Sequence, residues 1–260
     1  MTIANPQFLY ANDYTDTAAM ATSSNNSTAF KTRLLDRRPR IQFTTTGQTG
    51  SSATFIYTPG DSPSISRIAI QNTNWAAFTA TYNGGTAFST PINVSGASGG
   101  DFYFEFNAVT ITSDITITVT ATSPAGAEKK VGQIIYSRNL YTFPDFASAM
   151  SFTADPQQSI VRLSSGRYVR YLIDSEIYGF QASMKFVSLG SAITNIKTLL
   201  DENDINAVFF IPMPSQSVGE WDGIGDHVFI QNGREIRNFS GMTLQGGNDV
   251  IFDMVPAGGT

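Results

Sequence analysis

The stretch Ile111-Thr112-Ser113-Asp114-Ile115-Thr116-Ile117-Thr118-Val119-Thr120 decides the fold class. Ile111, Ile115, Ile117 and Val119 fall on one face, while Thr116, Thr118 and Thr120 fall on the other. A period of two is the signature of a half-buried strand, since successive side chains of a strand point to opposite faces. The same alternation extends outward in both directions. Phe102-Tyr-Phe-Glu-Phe106 alternates. Phe78-Thr-Ala-Thr-Tyr82 alternates and runs into Asn83-Gly84, a strong hairpin turn signal. Ile65 to Asn72 places Ile65, Arg67, Ala69 and Gln71 on one face and Ser66, Ile68 and Ile70 on the other. Ser52 to Tyr57 and Gly132 to Tyr136 read as two further strands. Short strands separated by turn signals predict an antiparallel β-sandwich or jelly roll.

Composition agrees. The chain has 260 residues, no cysteine, one histidine and 14% charged residues. Missing thiols exclude a disulfide scaffold, thiolate metal centres and a cysteine nucleophile. A single His227 excludes a multi-histidine metal site. The net charge of −5 sets the chain apart from general nucleic-acid binders, which are basic. No apolar run approaches the ~20 residues of a membrane helix. The N-terminus lacks the basic and apolar regions of a secretory signal, so synthesis in the cytoplasm is expected.

The low charge is unevenly distributed. Residues 41–127 hold five charged side chains, namely Asp61, Arg67, Asp101, Glu105 and Asp114, whereas residues 128–260 hold 24. Of 29 threonines, 23 precede residue 131. Such a shift predicts two units. The expected organisation is an N-terminal arm (1–29), a β-sandwich (30–140), a linker (141–159) and a smaller β-rich α+β domain (160–260) with one helix over about 191–203. In that second domain Arg167 to Ile173 and Tyr178 to Leu189 read as strands. Ile193, Ile196, Leu199 and Leu200 then mark the helix, with Ser191 as its N-cap. Ala207 to Ile211, His227 to Gln231 and Val250 to Val255 read as the closing strands.

Several segments of the first unit, in order, resemble a discoidin-like (galactose-binding-like) sandwich of the kind found in virion proteins of tailed bacteriophages. They are Leu34-Leu-Asp-Arg-Arg-Pro-Arg-Ile-Gln-Phe43, Ile68-Ala-Ile-Gln-Asn-Thr-Asn-Trp75, Phe78 to Gly84, Phe102 to Phe106, Ile115 to Val119 and Val131 to Tyr136. The resemblance covers roughly residues 30–140. The element order of the second unit looks like the β-barrel-with-helix unit of phage tail tubes, hubs and distal tail rings. These resemblances imply a non-enzymatic structural component of a phage virion, in the tail, baseplate or neck. It would be made in the host cytoplasm and would contact other virion proteins and copies of itself in a homo-oligomer. The alternative they imply is a carbohydrate-binding module that recognises a host-surface glycan.

The candidate residues follow from chemistry. Asn72, Asn74 and Trp75 fall in one expected loop, where an aromatic face and amide groups suit a sugar. The plainer reading has Trp75 plugging the end of the sandwich. Lys31, Arg33, Arg37, Arg38 and Arg40 form the one basic cluster, broken by Asp36. Arg37, Arg38 and Arg40 are candidate assembly contacts with an acidic protein surface, and the plainer reading is a solvated loop. No aromatic residue interleaves them, as stacking on single-stranded nucleic acid requires, so no nucleic-acid partner is expected. Tyr141-Thr-Phe-Pro-Asp-Phe146 is apolar outside any recognised strand, which makes Tyr141, Phe143 and Phe146 candidate assembly contacts too. Asp222, Asp226 and His227 fit no calcium-loop spacing. Asp201, Glu202 and Asp204 read as the solvated end of the helix. No P-loop, Gly-x-Ser-x-Gly or dinucleotide fingerprint is present. The expectation is therefore no enzyme, no catalytic or metal-binding residue, no cofactor and no membrane insertion.

Overall fold

The computed structural model describes residues 6–15, 17–20, 32–35, 41–45, 50–84, 88–89, 91–142, 149–155, 158–162, 168–172, 177–185, 196–201, 208–211, 226–230 and 249–256. The chain is mainly β. It divides into two compact units, one of Met1–Ala4, Leu9–Leu140 and Met213–Ile224, the other of Asn5–Phe8, Tyr141–Pro212 and Gly225–Thr260.

The first unit contains a β-sandwich. Its strands are β1 (Gln7–Tyr14), β2 (Thr17–Met20), β3 (Phe43–Thr44), β4 (Ala53–Tyr57), β5 (Ser64–Thr73), β6 (Trp75–Tyr82), β7 (Ile92–Val94), β8 (Gly100–Thr110), β9 (Ile115–Thr122), β10 (Lys130–Val131) and β11 (Gln133–Thr142). One sheet runs in the order β2-β4-β9-β6-β7, and β1-β11-β5-β8 are neighbours in another. In both layers β2–β4, β4–β9, β9–β6, β6–β7, β11–β5 and β5–β8 pair antiparallel. Phe55, Ile117, Val119, Phe78 and Ala80 from the first layer meet Ile68, Ile70, Phe102, Phe104 and Ile134 from the second in one buried cluster. Aromatic rings run through it. Phe43 meets Phe55 at 5.8 Å, Phe55 meets Trp75 at 5.1 Å, Trp75 meets Phe78 at 5.4 Å and Phe78 meets Phe102 at 4.9 Å. Edge-on and tilted contacts at these distances suit the ring quadrupoles.

Three expectations are corrected. The N-terminal arm contains strands: β1 lies beside β11, and β2 pairs with β4. Phe8, Leu9 and Tyr10 are buried, so this short apolar run has the driving force that the polar residues after it lack. The expected linker contains the end of β11 and the strand β12 (Ala149–Asp155). In β5 the two faces are not those of strict alternation. A register shift between Ile65 and Arg67 turns Ile65 into the sandwich core beside Ile68 and Ile70. Opposite the step from Ile65 to Arg67, β8 runs from Val109 to Glu105, so the extra residues of this irregularity lie in β8.

A polar clasp joins the two layers. Arg138 on β11 donates from Nε to Asp13 Oδ2 on β1 at 2.6 Å, and its two terminal nitrogens reach Asp61 at 2.8 and 2.9 Å. Tyr57 on β4 donates its phenol to the same Asp13 oxygen and stacks on Tyr136, with centroids 4.3 Å apart. Burial, then the Asp13 carboxylate, holds the Tyr57 phenol well above the usual range, so it stays a donor.

The second unit holds β12, β13 (Gln158–Arg162), β14 (Tyr168–Leu172), β15 (Ile177–Lys185), β16 (Val208–Ile211), β17 (Asp226–Ile230) and β18 (Asp249–Pro256). The order is β12-β15-β18-β17-β16, and β13 pairs with β14. Residues 196–201 are helical, and Ile196, Leu199 and Leu200 are the buried ones, the 3.6-residue stripe that the sequence predicts. Phe8, at the start of β1, belongs to this unit and packs on Phe210 at 4.9 Å. β12 and β13 lie outside the strands expected from the sequence.

Candidate functional site

The outer surface of the five-stranded sheet carries a regular array of threonines. Residues paired directly across an antiparallel sheet share a face. Thr54 pairs with Thr118, Thr118 with Thr79, and Thr79 with Asn93. These four make one row across β4, β9, β6 and β7. Ile56, Thr116 and Thr81 make a second row. Strand geometry spaces neighbours in a row by about 4.8 Å and the rows by roughly 7 Å. Thr81, Thr120 and Asn93 are exposed, and the rest are half-buried. No charged residue stands in either row.

The hydroxyls keep hydrogen-bonding capacity. Thr81 Oγ1 donates to the Thr116 carbonyl at 3.4 Å, and Thr120 Oγ1 donates to the Ala77 carbonyl at 3.3 Å. Thr116 Oγ1 accepts from Asn83 Nδ2 at 3.1 Å. A hydroxyl offers one donor and two acceptor positions, so each of these retains at least one. The arrangement is a neutral array of hydroxyl, methyl and amide groups on paired strands. Among the described residues, no group of three or more metal-capable side chains gathers anywhere.

The residues singled out in the sequence fare differently. Asn72 and Trp75 lie on strands, and Asn74 alone separates β5 from β6. Trp75 is fully buried, its ring against Phe55 and Phe78. The expected aromatic glycan platform is therefore corrected: Trp75 is core, as the plainer reading held. Asn74 spans two backbone groups, with Nδ2 donating to the Glu128 carbonyl and Oδ1 accepting from Lys130 N, both at 2.8 Å. Asn72 adopts a φ of 52°, tolerated by asparagine. Its N–H donates to Asp101 at 2.7 Å, while its carbonyl and Oδ1 each accept from Gln42 Nε2 at 2.9 Å. The two amides staple the crowded β5–β6 junction. Gly99 approaches so closely there that a Cβ would stand 2.6 Å from the Thr73 carbonyl.

Tyr141 is buried at 4% exposure, which corrects its assignment as an assembly contact. Arg37, Arg38, Arg40, Phe143 and Phe146 lie outside the described residues, as does Asp222. His227 sits on β17, paired with Phe209. Asp201 is exposed at the end of the helical residues. The threonine rows were half legible: the alternation of β9 and β6 puts Thr116, Thr118, Thr79 and Thr81 on outer faces. The register that aligns them depends on pairing partners distant in sequence.

No protein-family model and no curated protein matches the sequence. Among solved structures, the chain is similar to chitosan-binding module 1 of a chitosanase/glucanase from Paenibacillus sp. IK-5. The TM-score is 0.37 and the identity 14%, over 47% of this chain and 94% of that one. It is also similar to CpGH89CBM32-6 from Clostridium perfringens, with a TM-score of 0.33 and 15% identity over 48% of this chain and 95% of that one. Likeness at this level carries no argument about a ligand.

Proposed function

We propose that the sandwich unit is a non-catalytic recognition module for neutral polysaccharide. The observation that carries this reading is the row Thr54–Thr118–Thr79–Asn93 with its companion Ile56–Thr116–Thr81. A sugar polymer presents hydroxyls and C–H patches at short repeats, and this face presents the same chemistry in return. Binding desolvates no charge, which removes the largest cost of burying a polar surface. Each hydrogen bond gives a net ~0.5–1.5 kcal/mol, so affinity requires several at once, and a regular array supplies them. The interaction is expected to be insensitive to salt, since no ion pair forms.

A glycan array together with pull-down on insoluble chitin and cellulose tests the reading. Wild type should be retained at both 50 and 500 mM salt. Thr118→Glu and Thr79→Glu place a charge in the centre of the face and should weaken retention at least tenfold, with an unchanged circular dichroism spectrum. Absence of binding to every neutral glycan, or undiminished binding by both variants, overturns it.

The assembly role in a tailed-phage virion stands as a second proposal. One observation favours it, the exposed Leu35 and Ile41, which flank Arg37, Arg38 and Arg40 in the sequence. Mass spectrometry of purified particles tests it, and absence of the chain from them removes it.

A further inference from the structure

The second unit holds a ribbon that is not part of the sheet containing β12, β15, β18, β17 and β16. β13 and β14 pair antiparallel and form a two-stranded sheet of their own. Residues paired directly across such a ribbon share a face, and alternate residues of each strand join them. Gln158–Leu172, Ile160–Arg170 and Arg162–Tyr168 therefore fall on one face, and Ser159–Tyr171 and Val161–Val169 on the other. The first face gathers both arginines of the two strands. Neither strand includes an aspartate or a glutamate, so together they carry +2 in a chain of −5.

The register sets three of these positions close together. Tyr168 is directly opposite Arg162, about 5 Å away between Cβ positions, and Arg170, two residues further along β14, lies on the diagonal from Arg162 at roughly 7 Å. Two guanidinium groups are always ionised, and at that spacing they repel one another. An anionic partner that engages both removes the repulsion. The guanidinium fork fits phosphate and carboxylate alike, so the arginines alone do not choose between them. The tyrosine beside both cations does. It suits a polyanion that carries planar rings along with its charges, because every base has a π-face on which an aromatic side chain stacks. An acidic peptide offers the charges without the rings. The basic cluster at residues 31–40 has no interleaved aromatic residue, and this ribbon has one.

We propose that the β13–β14 ribbon binds single-stranded nucleic acid, with Arg162 and Arg170 on phosphates and Tyr168 against a base. The acidity of the whole chain does not forbid it. At physiological salt the Debye length is about 8 Å, so charges further from the ribbon than that are largely screened. Net charge governs long-range approach, and the contact itself is governed by the local +2. Duplex DNA is the poorer occupant, because its bases are stacked on one another and exposing one costs energy.

Fluorescence anisotropy of a labelled 20-nucleotide oligothymidylate titrated with the full chain tests the proposal. The oligonucleotide should bind in 50 mM NaCl. The logarithm of its association constant should fall with the logarithm of salt at a slope of about −1.4, from ~0.7 per neutralised phosphate, which is a ~25-fold loss between 50 and 500 mM. Arg162→Gln with Arg170→Gln should flatten the slope to near zero, and Arg162→Lys with Arg170→Lys should keep it. Tyr168→Ala should weaken binding at least fivefold with the slope unchanged, since stacking is lost and charge is kept. An abasic oligonucleotide of the same length should not distinguish Tyr168→Ala from wild type. All variants should give the wild-type circular dichroism spectrum. No binding at 100 µM protein, a slope that the glutamine pair leaves unchanged, a Tyr168→Ala variant that binds like wild type, or polyglutamate bound as tightly as the oligothymidylate overturns the proposal. None of these outcomes bears on polysaccharide retention, which is proposed for the other unit.

Discussion

The two sheets of the sandwich treat their outer faces in opposite ways. On the five-stranded sheet, inward Phe55, Ile117 and Val119 alternate with outward Thr54, Ile56, Thr116 and Thr118, which are only half-buried. On the sheet containing β11, β5 and β8, the outward row Ile135–Ala69–Tyr103 is buried as well, and so is most of the row Ser137–Arg67–Glu105. Glu105 alone in that row is exposed. The second layer thus has two buried faces and must satisfy its polar groups internally. Arg67 donates to the Ser66 carbonyl at 2.8 Å and pairs with Glu105, and Ser137 donates to the Asn139 carbonyl at 2.8 Å. Burial pushes the Tyr103 phenol well up, with the nearby Arg67 opposing it. The open sheet places on its outer side hydroxyls whose bonds are local, such as Thr81 to the Thr116 carbonyl and Thr120 to the Ala77 carbonyl.

The most direct way to break the comparison is to truncate one aliphatic side chain on each outer face. Ile135→Ala removes a fully buried side chain. It should cost about 2–5 kcal/mol, through lost transfer energy and the cavity left behind. Ile56→Ala removes a half-buried one from the open face and should cost less than about 1 kcal/mol. Urea unfolding of both variants measures the difference. Equal costs would mean that the two faces are alike.

The contrast also explains what the sequence disclosed. The open sheet was legible because water on one side enforces a period of two: Ile115 to Val119 and Phe78 to Tyr82 showed both the strands and their inward sides. The closed sheet was harder. Arg67 and Gln71 in β5 look like surface residues, yet they are buried, and the register shift against β8 hides the true side of Ile65. Likewise Trp75 beside two asparagines looks like an exposed loop. No local signal reveals that the amides are consumed by Glu128, Lys130 and Gln42, partners 30 to 56 positions away. The short strand β2 is Thr17-Ala-Ala-Met20, with no alternating pattern, and its place comes from pairing with β4. Propensity gives no warning of such an edge strand.

The smallest expected effect lies at the margin of the closed sheet. Asp101, near the start of β8, accepts the Asn72 N–H at 2.7 Å. Partial burial against that junction pushes its carboxyl above the usual aspartate value, and the Asn72 bond opposes the shift without cancelling it. A carboxyl raised in the folded state favours folding fully only below its unfolded value of about 3.9, and that contribution is lost as the pH climbs through the folded value. At neutral pH the ionised Asp101 therefore weighs slightly against the fold. Asp101→Asn keeps an oxygen for the Asn72 N–H and removes the charge. The variant should match wild type at pH 3 and gain on it as the pH rises toward 6. It should hold a constant advantage of no more than about 1 kcal/mol above that, of the order of other surface substitutions. Urea unfolding at pH 3, 5 and 7 reads this directly. A variant less stable than wild type at pH 7 would show that the junction uses the Asp101 charge itself, and the closed sheet would then carry a functional anion at its edge.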